Sequence, residues 1–350
     1  MKNNMKRIFI MCICYFLLTA CVYGETYEWE IAPMGYDWTI RGDSEGLFLV
    51  SEDGKYGYVN IKGNLVIPLI YDSAGSFSDG LARVMKDGRR LYIDKTGKEI
   101  FSTNYKWTYD FSEGLVFVKN DKGEYGFLNK KGEIAIPFRK LENEYDTYDF
   151  KEGLSRVKRN GKYGFMDKTG KIVIPCIYTN VGNFSEGVAY VDTKKGRGYI
   201  DKNGKVIIPC SYFGGADCSE GMIQILAGNR RDFRPTKYFD KSGKLVIPSI
   251  YDYGENFSEG MAVIGTEGKY YVIDKKGKKI LTINGYDEVY TGFKAGVLVV
   301  EKNNKFGCID KSGKEVIPCI YEQINSFDEN GIAGAIRDGK AWVIKSPYAK

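Results

Sequence analysis

Six aspartates stand three residues before a glycine, at Asp94, Asp167, Asp201, Asp240, Asp274 and Asp310, with Asn60 and Asn129 in the same slot. A carboxylate repeated in front of glycine is one way to begin a calcium loop, but such a loop gathers several oxygen ligands within about a dozen residues. Asp or Asn at the first position and Gly at the fourth is equally the preference of a type I turn, and exchange with neutral Asn suits a turn better than a metal. No metal or other cofactor is expected. Five cysteines follow Cys21, namely Cys176, Cys210, Cys218, Cys308 and Cys319, and they lack the spacing of metal ligands. A Cys176–Cys210 disulfide stays open at this level, because equivalent positions of adjacent repeats can lie close.

The chain of 350 residues contains no histidine. Ser-His-Asp and Cys-His devices, histidine bases and histidine metal ligands are therefore excluded. A carboxylate-pair glycosidase needs no histidine, yet nearly every carboxylate that can be placed belongs to a repeated turn or to the phrase S-E-G. No catalytic residue is assigned, and the chain is read as a non-enzyme.

The elements that carry these residues recur. A glycine in S-E-G or a looser variant falls at Gly46, Gly80, Gly114, Gly153, Gly187, Gly221, Gly260, Gly296 and Gly331, in steps of 34 to 39 residues. Each unit reads F-S-E-G, an alternating apolar strand, a polar turn, an aromatic strand ending in I-D, then D-K-x-G-K and V-I-P-x-x-Y. Ala82 with Val84 and Ala189 with Val191 mark one face of the first strand. Asp53-Gly54, Asn160-Gly161 and Glu267-Gly268 mark a hairpin turn to the second. That strand carries Tyr56-Gly57, Tyr125-Gly126, Tyr163-Gly164 and Phe306-Gly307; a glycine recurring inside a strand implies that another backbone or ring passes close to it. Pro68, Pro137, Pro175, Pro209, Pro248 and Pro318 end or edge a third strand.

The linked run F-S-E-G-L-x-x-V-x-x-x-G-K-Y-G-F-x-D-K-x-G-K-x-V-I-P resembles the bacterial WG-repeat (KWG-type) family across nearly all of residues 25–350. The family's tryptophan is Tyr or Phe here, and repeats two, six and seven lose the aromatic-glycine pair, as at Arg90-Leu91 and Tyr270-Tyr271. The resemblance implies export, β-rich repeats and a non-catalytic role. The expected fold is all-β, a tandem array of about eight to nine short three-stranded antiparallel units starting near residues 45, 79, 113, 152, 186, 220, 259, 295 and 329. An open, solenoid-like array is the expected arrangement because units of this length are small for propeller blades. A closed β-propeller is the alternative, since residues 31–46 resemble the end of a unit and residues 329–345 its start.

Residues 1–20 read as an export signal: Lys2, Lys6 and Arg7 precede the apolar run Ile8 to Leu18, too short to span a membrane. Leu18-Thr19-Ala20-Cys21 resembles a lipobox, which makes Cys21 the lipidated residue of an envelope lipoprotein; cleavage after Gly24 would instead give a soluble periplasmic or secreted protein. The repeat domain is placed at 25–345. Of 51 basic and 45 acidic residues, three basic and no acidic ones lie in 1–20, so the remainder is nearly balanced and nucleic acid is not an expected partner. The expected role is a protein-interaction scaffold of the cell envelope, bound to an envelope or extracellular protein. The alternative is a lectin-like module that holds polysaccharide on the once-per-unit tyrosines Tyr71, Tyr178, Tyr212, Tyr251, Tyr286 and Tyr321. Two insertions are candidate binding loops, one with Tyr145 and Tyr148, the other with Arg230, Arg231 and Phe233.

Overall fold

The computed structural model describes residues 30–33, 45–60, 62–140, 149–227 and 235–349. Among these residues there is no helix, and nine small antiparallel sheets follow one another along the chain. Eight of the sheets have four strands rather than the expected three. The extra strand opens the blade and is often only two residues long, as at Ser73–Ala74, Asn180–Val181 and Tyr253–Gly254. Two residues are too few to show an alternation, so the sequence hides them.

The ring closes, which replaces the open array by the propeller alternative. The strand Glu30–Pro33 pairs antiparallel with Lys340–Lys345 and completes the ninth sheet from the other end of the chain. Phe48, Val50 and Val59 of blade 1 pack against Ile332 and Val343 of blade 9. On the opposite face of the same sheet Leu49, Tyr58 and Ile67 pack with Phe77, Ala82 and Val84 of blade 2. Period-two alternation thus feeds two cores, one on each side of every blade. A ring leaves no end blade with an unburied face.

The S-E-G phrase proves to be the joint between blades. Its acidic residue sits in the left-handed region, with φ between 50° and 61° at Glu45, Asp79, Glu113, Glu152, Glu186, Glu220 and Glu259, a conformation that non-glycine residues adopt only when their surroundings hold them there. The carboxylate then accepts the N–H of the glycine one unit ahead: Gly80 on Glu45 at 3.0 Å, Gly187 on Glu152 at 3.0 Å, Gly260 on Glu220 at 2.8 Å. The lysine of the next unit's D-K-x-G reaches back to the same residue, as Lys95 does to Glu45 and Lys202 to Glu152, both at 3.0 Å. These ion pairs are about two-fifths exposed on the lysine side and contribute at most about 1 kcal/mol. The charge-assisted bonds to backbone N–H are the larger share, about 1.5–3 kcal/mol each. The serine also reaches forward: Ser78, Ser112 and Ser219 donate to the carbonyls of Phe111, Phe150 and Phe257. Buried Tyr58, Tyr92, Tyr199 and Tyr238 do the same to Gly75, Tyr109, Ala216 and Glu255.

The turn reading of D-K-x-G holds. The Asp94, Asp167, Asp240 and Asp310 carboxylates accept the N–H groups two and four residues ahead, and the neutral Asn60 and Asn129 make the same bonds. The strand glycines also have their reason. A Cβ on Gly57 or Gly164 would lie 2.5 Å or 2.4 Å from the Ile67 or Ile174 carbonyl oxygen, where the V-I-P strand bulges inward. Blades 2 and 7 place Leu91 and Tyr271 in that slot, and their fourth strands, Glu99–Thr103 and Lys279–Ile283, carry no proline and keep regular register beside it. Blades 6 and 9 are the exceptions, with Lys237 and Trp342 facing proline-containing strands.

Candidate functional site

The two blades that lose both glycine and proline are followed by blades with unusually long first strands, Trp107–Ser112 and Glu288–Lys294. A cavity opens beside each of these two blades. The one between blades 7 and 8 has a volume of 660 Å³ and is lined by Asp252, Tyr253, Gly265, Tyr270, Glu288 and Tyr290, among others.

Its floor follows from strand register. Gly265 lies directly between Tyr253 on one neighbouring strand and Tyr270 on the other. With no side chain of its own, Gly265 leaves the two rings as the surface, and a Cβ there would touch Tyr253 at 3.5 Å and Tyr270 at 3.8 Å. Tyr290 comes from the first strand of blade 8. Tyr253 and Tyr290 are 40% and 39% exposed, large aromatic surface that a stable ring does not require.

Each of the three phenols donates to a carboxylate: Tyr253 to Glu255, Tyr270 to Glu288 at 2.6 Å, and Tyr290 to Glu301. Burial, then the Glu288 hydrogen bond, pushes the Tyr270 phenol up to about 12. The bond to Glu301, then burial, does the same for Tyr290. Burial and Glu255 raise Tyr253 as well. All three remain neutral donors at physiological pH, and the glutamates keep a second oxygen for other partners. Asp252 and Asp287 add charge, each accepting a hairpin N–H, from Glu267 at 3.1 Å and Asn303 at 2.7 Å. Lys269 is the one basic residue of the described lining.

The residues expected to bind lie elsewhere. Cys21, the loop residues Tyr145 and Tyr148, and the loop residues Arg230, Arg231 and Phe233 all fall outside the described residues. The once-per-unit tyrosines pack: Tyr71, Tyr178, Tyr251 and Tyr321 are buried, while Tyr212 and Tyr286 are half-buried. Cys218 fills the phenylalanine slot of its unit, where burial pushes its thiol up to about 12. Cys176 and Cys210 are thiols, each directed at a backbone carbonyl, those of Val157 and Val191.

Closed rings of four-stranded blades define a β-propeller, here of nine blades among the described residues. Eight successive segments, 56–89, 92–123, 125–163, 163–195, 198–226, 238–270, 272–306 and 306–340, match the family model described as WG containing repeat, and the chain belongs to that family. No curated protein matches the sequence. Among solved structures, a eukaryotic initiation factor aligns over 86% of this chain and 94% of its own with a TM-score of 0.59 at 10% identity, a likeness of fold alone. BamB from Moraxella catarrhalis aligns over 91% of this chain and 97% of its own at 12% identity, with a TM-score of 0.43.

Proposed function

We propose that this propeller is an exported, non-catalytic protein-interaction scaffold of the cell envelope, and that the cavity between blades 7 and 8 is its principal point of contact. One observation carries the reading. Three tyrosines, each donating to a glutamate, line one exposed cavity, whereas the polar residues that recur in the units are engaged in turns and in joints between blades. The basic, apolar and cysteine-ended order of residues 2–21 supports export and lipidation at Cys21. With the tyrosine series packed between blades, a polysaccharide reading would rest on this same cavity and not on one site per unit.

The test is site-resolved cross-linking in intact cells, with a photoreactive residue at Tyr290 and, as control, at Ile177, which is 62% exposed on an outer strand. Adducts with envelope proteins from position 290 and few from 177 are expected. No protein adducts from 290, or equal yields from both, would refute the reading. Cys21→Ala should move the protein from the membrane to the soluble envelope fraction.

A further inference from the structure

The position of Gly265 has counterparts in the other blades, and two of them show what the cavity lacks. In blade 3 the residue paired across the hairpin with Tyr125 is Lys119, and its Nζ lies over the Tyr125 ring, 5.1 Å from the centroid. In blade 4 the same pair is Lys158 and Tyr163, with Nζ 4.8 Å from the centroid. In blade 7 the pair is Gly265 and Tyr270. The fold therefore places a tyrosine at this slot in four blades, opposite Lys119 and Lys158 in blades 3 and 4, opposite Ser51 in blade 1 and opposite Gly265 in blade 7. In blade 7 it omits the lysine, adds Tyr253 and Tyr290, and surrounds them with Asp252, Asp287 and Glu288.

We infer that the cavity between blades 7 and 8 binds a lysine or arginine side chain of a protein partner, which takes the place that Lys119 and Lys158 take in blades 3 and 4. A cation over a tyrosine face is attracted by the ring's quadrupole, and the attraction grows as water leaves the site. Phenols that donate to carboxylates carry more electron density in the ring, and the carboxylates add direct ion pairing. A neutral sugar would use the rings but gain little from this concentration of negative charge.

This inference deepens the scaffold reading and rests on it. The test uses the full chain, titrated calorimetrically with an acetylated and amidated tri-lysine peptide, the same peptide with its side-chain amines acetylated, tetramethylammonium chloride and a neutral oligosaccharide. Binding of tri-lysine, lost on side-chain acetylation and weakened by salt, is expected. Gly265→Lys rebuilds the blade 3 arrangement, so it should weaken tri-lysine binding about tenfold or more, the scale of a partly desolvated cation–π contact. Glu288→Gln should weaken it several-fold. Both variants should keep the parent's cooperative thermal unfolding.

Equal binding by wild type and Gly265→Lys would assign the attraction to general surface charge and overturn the site. Binding of tetramethylammonium or the oligosaccharide without tri-lysine would overturn the side-chain assignment. If tri-lysine fails to bind while position 290 still cross-links to envelope protein, this inference falls and the scaffold reading stands; if both fail, both are wrong.

Discussion

The junction between blades 2 and 3 and the junction between blades 7 and 8 share a backbone and differ in what fills it. Each follows a blade without the glycine and proline of its neighbours, and each is built on a long first strand. Beside blade 2 the cavity is 370 Å³ and is lined by Arg83, Met85 and Arg90, with Tyr56 of blade 1 and Thr108 of blade 3. Arg83 crosses the boundary to the Asp110 carboxylate and the Thr108 carbonyl, both at 3.0 Å. At the second, Val263 replaces Arg83, Gly265 replaces Met85 and Tyr270 replaces Arg90. One junction supplies a cation from within, and the other leaves an acidic aromatic cavity of 660 Å³. A repeat protein can thus keep its ring and vary only the residues at equivalent slots.

Acid should loosen the ring at joints other than these two. At Glu113 and Glu220 burial opposes ionisation, but the N–H groups of Gly153 and Gly260 and the amines of Lys168 and Lys275 outweigh it and lower the pKa. The bonds from Ser312 and Tyr348 outweigh burial in the same way and bring Asp310 down to about 2. A lowered folded-state pKa contributes stability above the ordinary carboxylate range and loses it as pH falls through the lowered value. The melting temperature should therefore be level near neutrality and fall as pH drops from about 4 towards about 2, in a single transition by circular dichroism. A melting temperature insensitive to pH over that window would mean the carboxylate joints carry little.

The next effect separates ordinary blades from the two exceptional ones. Gly164→Leu drives a side chain into the Ile174 carbonyl and should cost about 3 kcal/mol or more in urea unfolding, a severe overpacking. Tyr271→Leu, at the equivalent slot of blade 7, should cost about 1 kcal/mol or less, because the neighbouring strand does not bulge there. Similar costs would break the explanation of why these blades diverge.

The joints should be alike on both sides of the ring. Asp79 receives Gly114 N–H at 2.5 Å across the first junction, and Glu259 receives Gly296 N–H at 3.0 Å across the second. Asp79→Ala and Glu259→Ala should each cost about 1.5–2 kcal/mol by the same measurement. A difference above about 1 kcal/mol would show that the junctions diverge in backbone as well as in lining. Arg83→Ala should cost least, below about 1 kcal/mol, because its ion pair with Asp110 is half exposed. Its use is to sharpen the contrast: removal of the internal cation should let the first junction admit tri-lysine weakly, which saturation calorimetry would detect.

The joint of blade 8 is of a different kind. Ala295 stands where the seven preceding units place an acid, and the chain's last residues take over: Ser346 donates to the Ala295 carbonyl at 2.6 Å and Tyr348 to the Asp310 carboxylate at 2.8 Å. The substitution is visible in the sequence as a loose S-E-G. Its remedy is not, because Ser346 lies 51 residues away.

The sequence by itself determined the all-β class, the repeat, the hairpins and the D-K-x-G turns, because each depends on residues within a few positions of one another: alternation, a positive-φ pair such as Asn160-Gly161, an aspartate two and four residues from the N–H groups it accepts. It also required a close neighbour for Gly57 and Gly164 without naming it. Only the tertiary structure decided closure, since the pairing of Glu30–Pro33 with Lys340–Lys345 joins segments some three hundred residues apart. Only it turned S-E-G from a phrase into a joint, because its acid acts on the next unit and not on its own. The cavity has the same origin. Gly265, Tyr253 and Tyr270 become a binding floor through cross-strand register, and Gly265 becomes informative only when register sets it beside Lys119 and Lys158. Local geometry is written in neighbouring residues; a surface made by three strands and two blades exists only after they have packed.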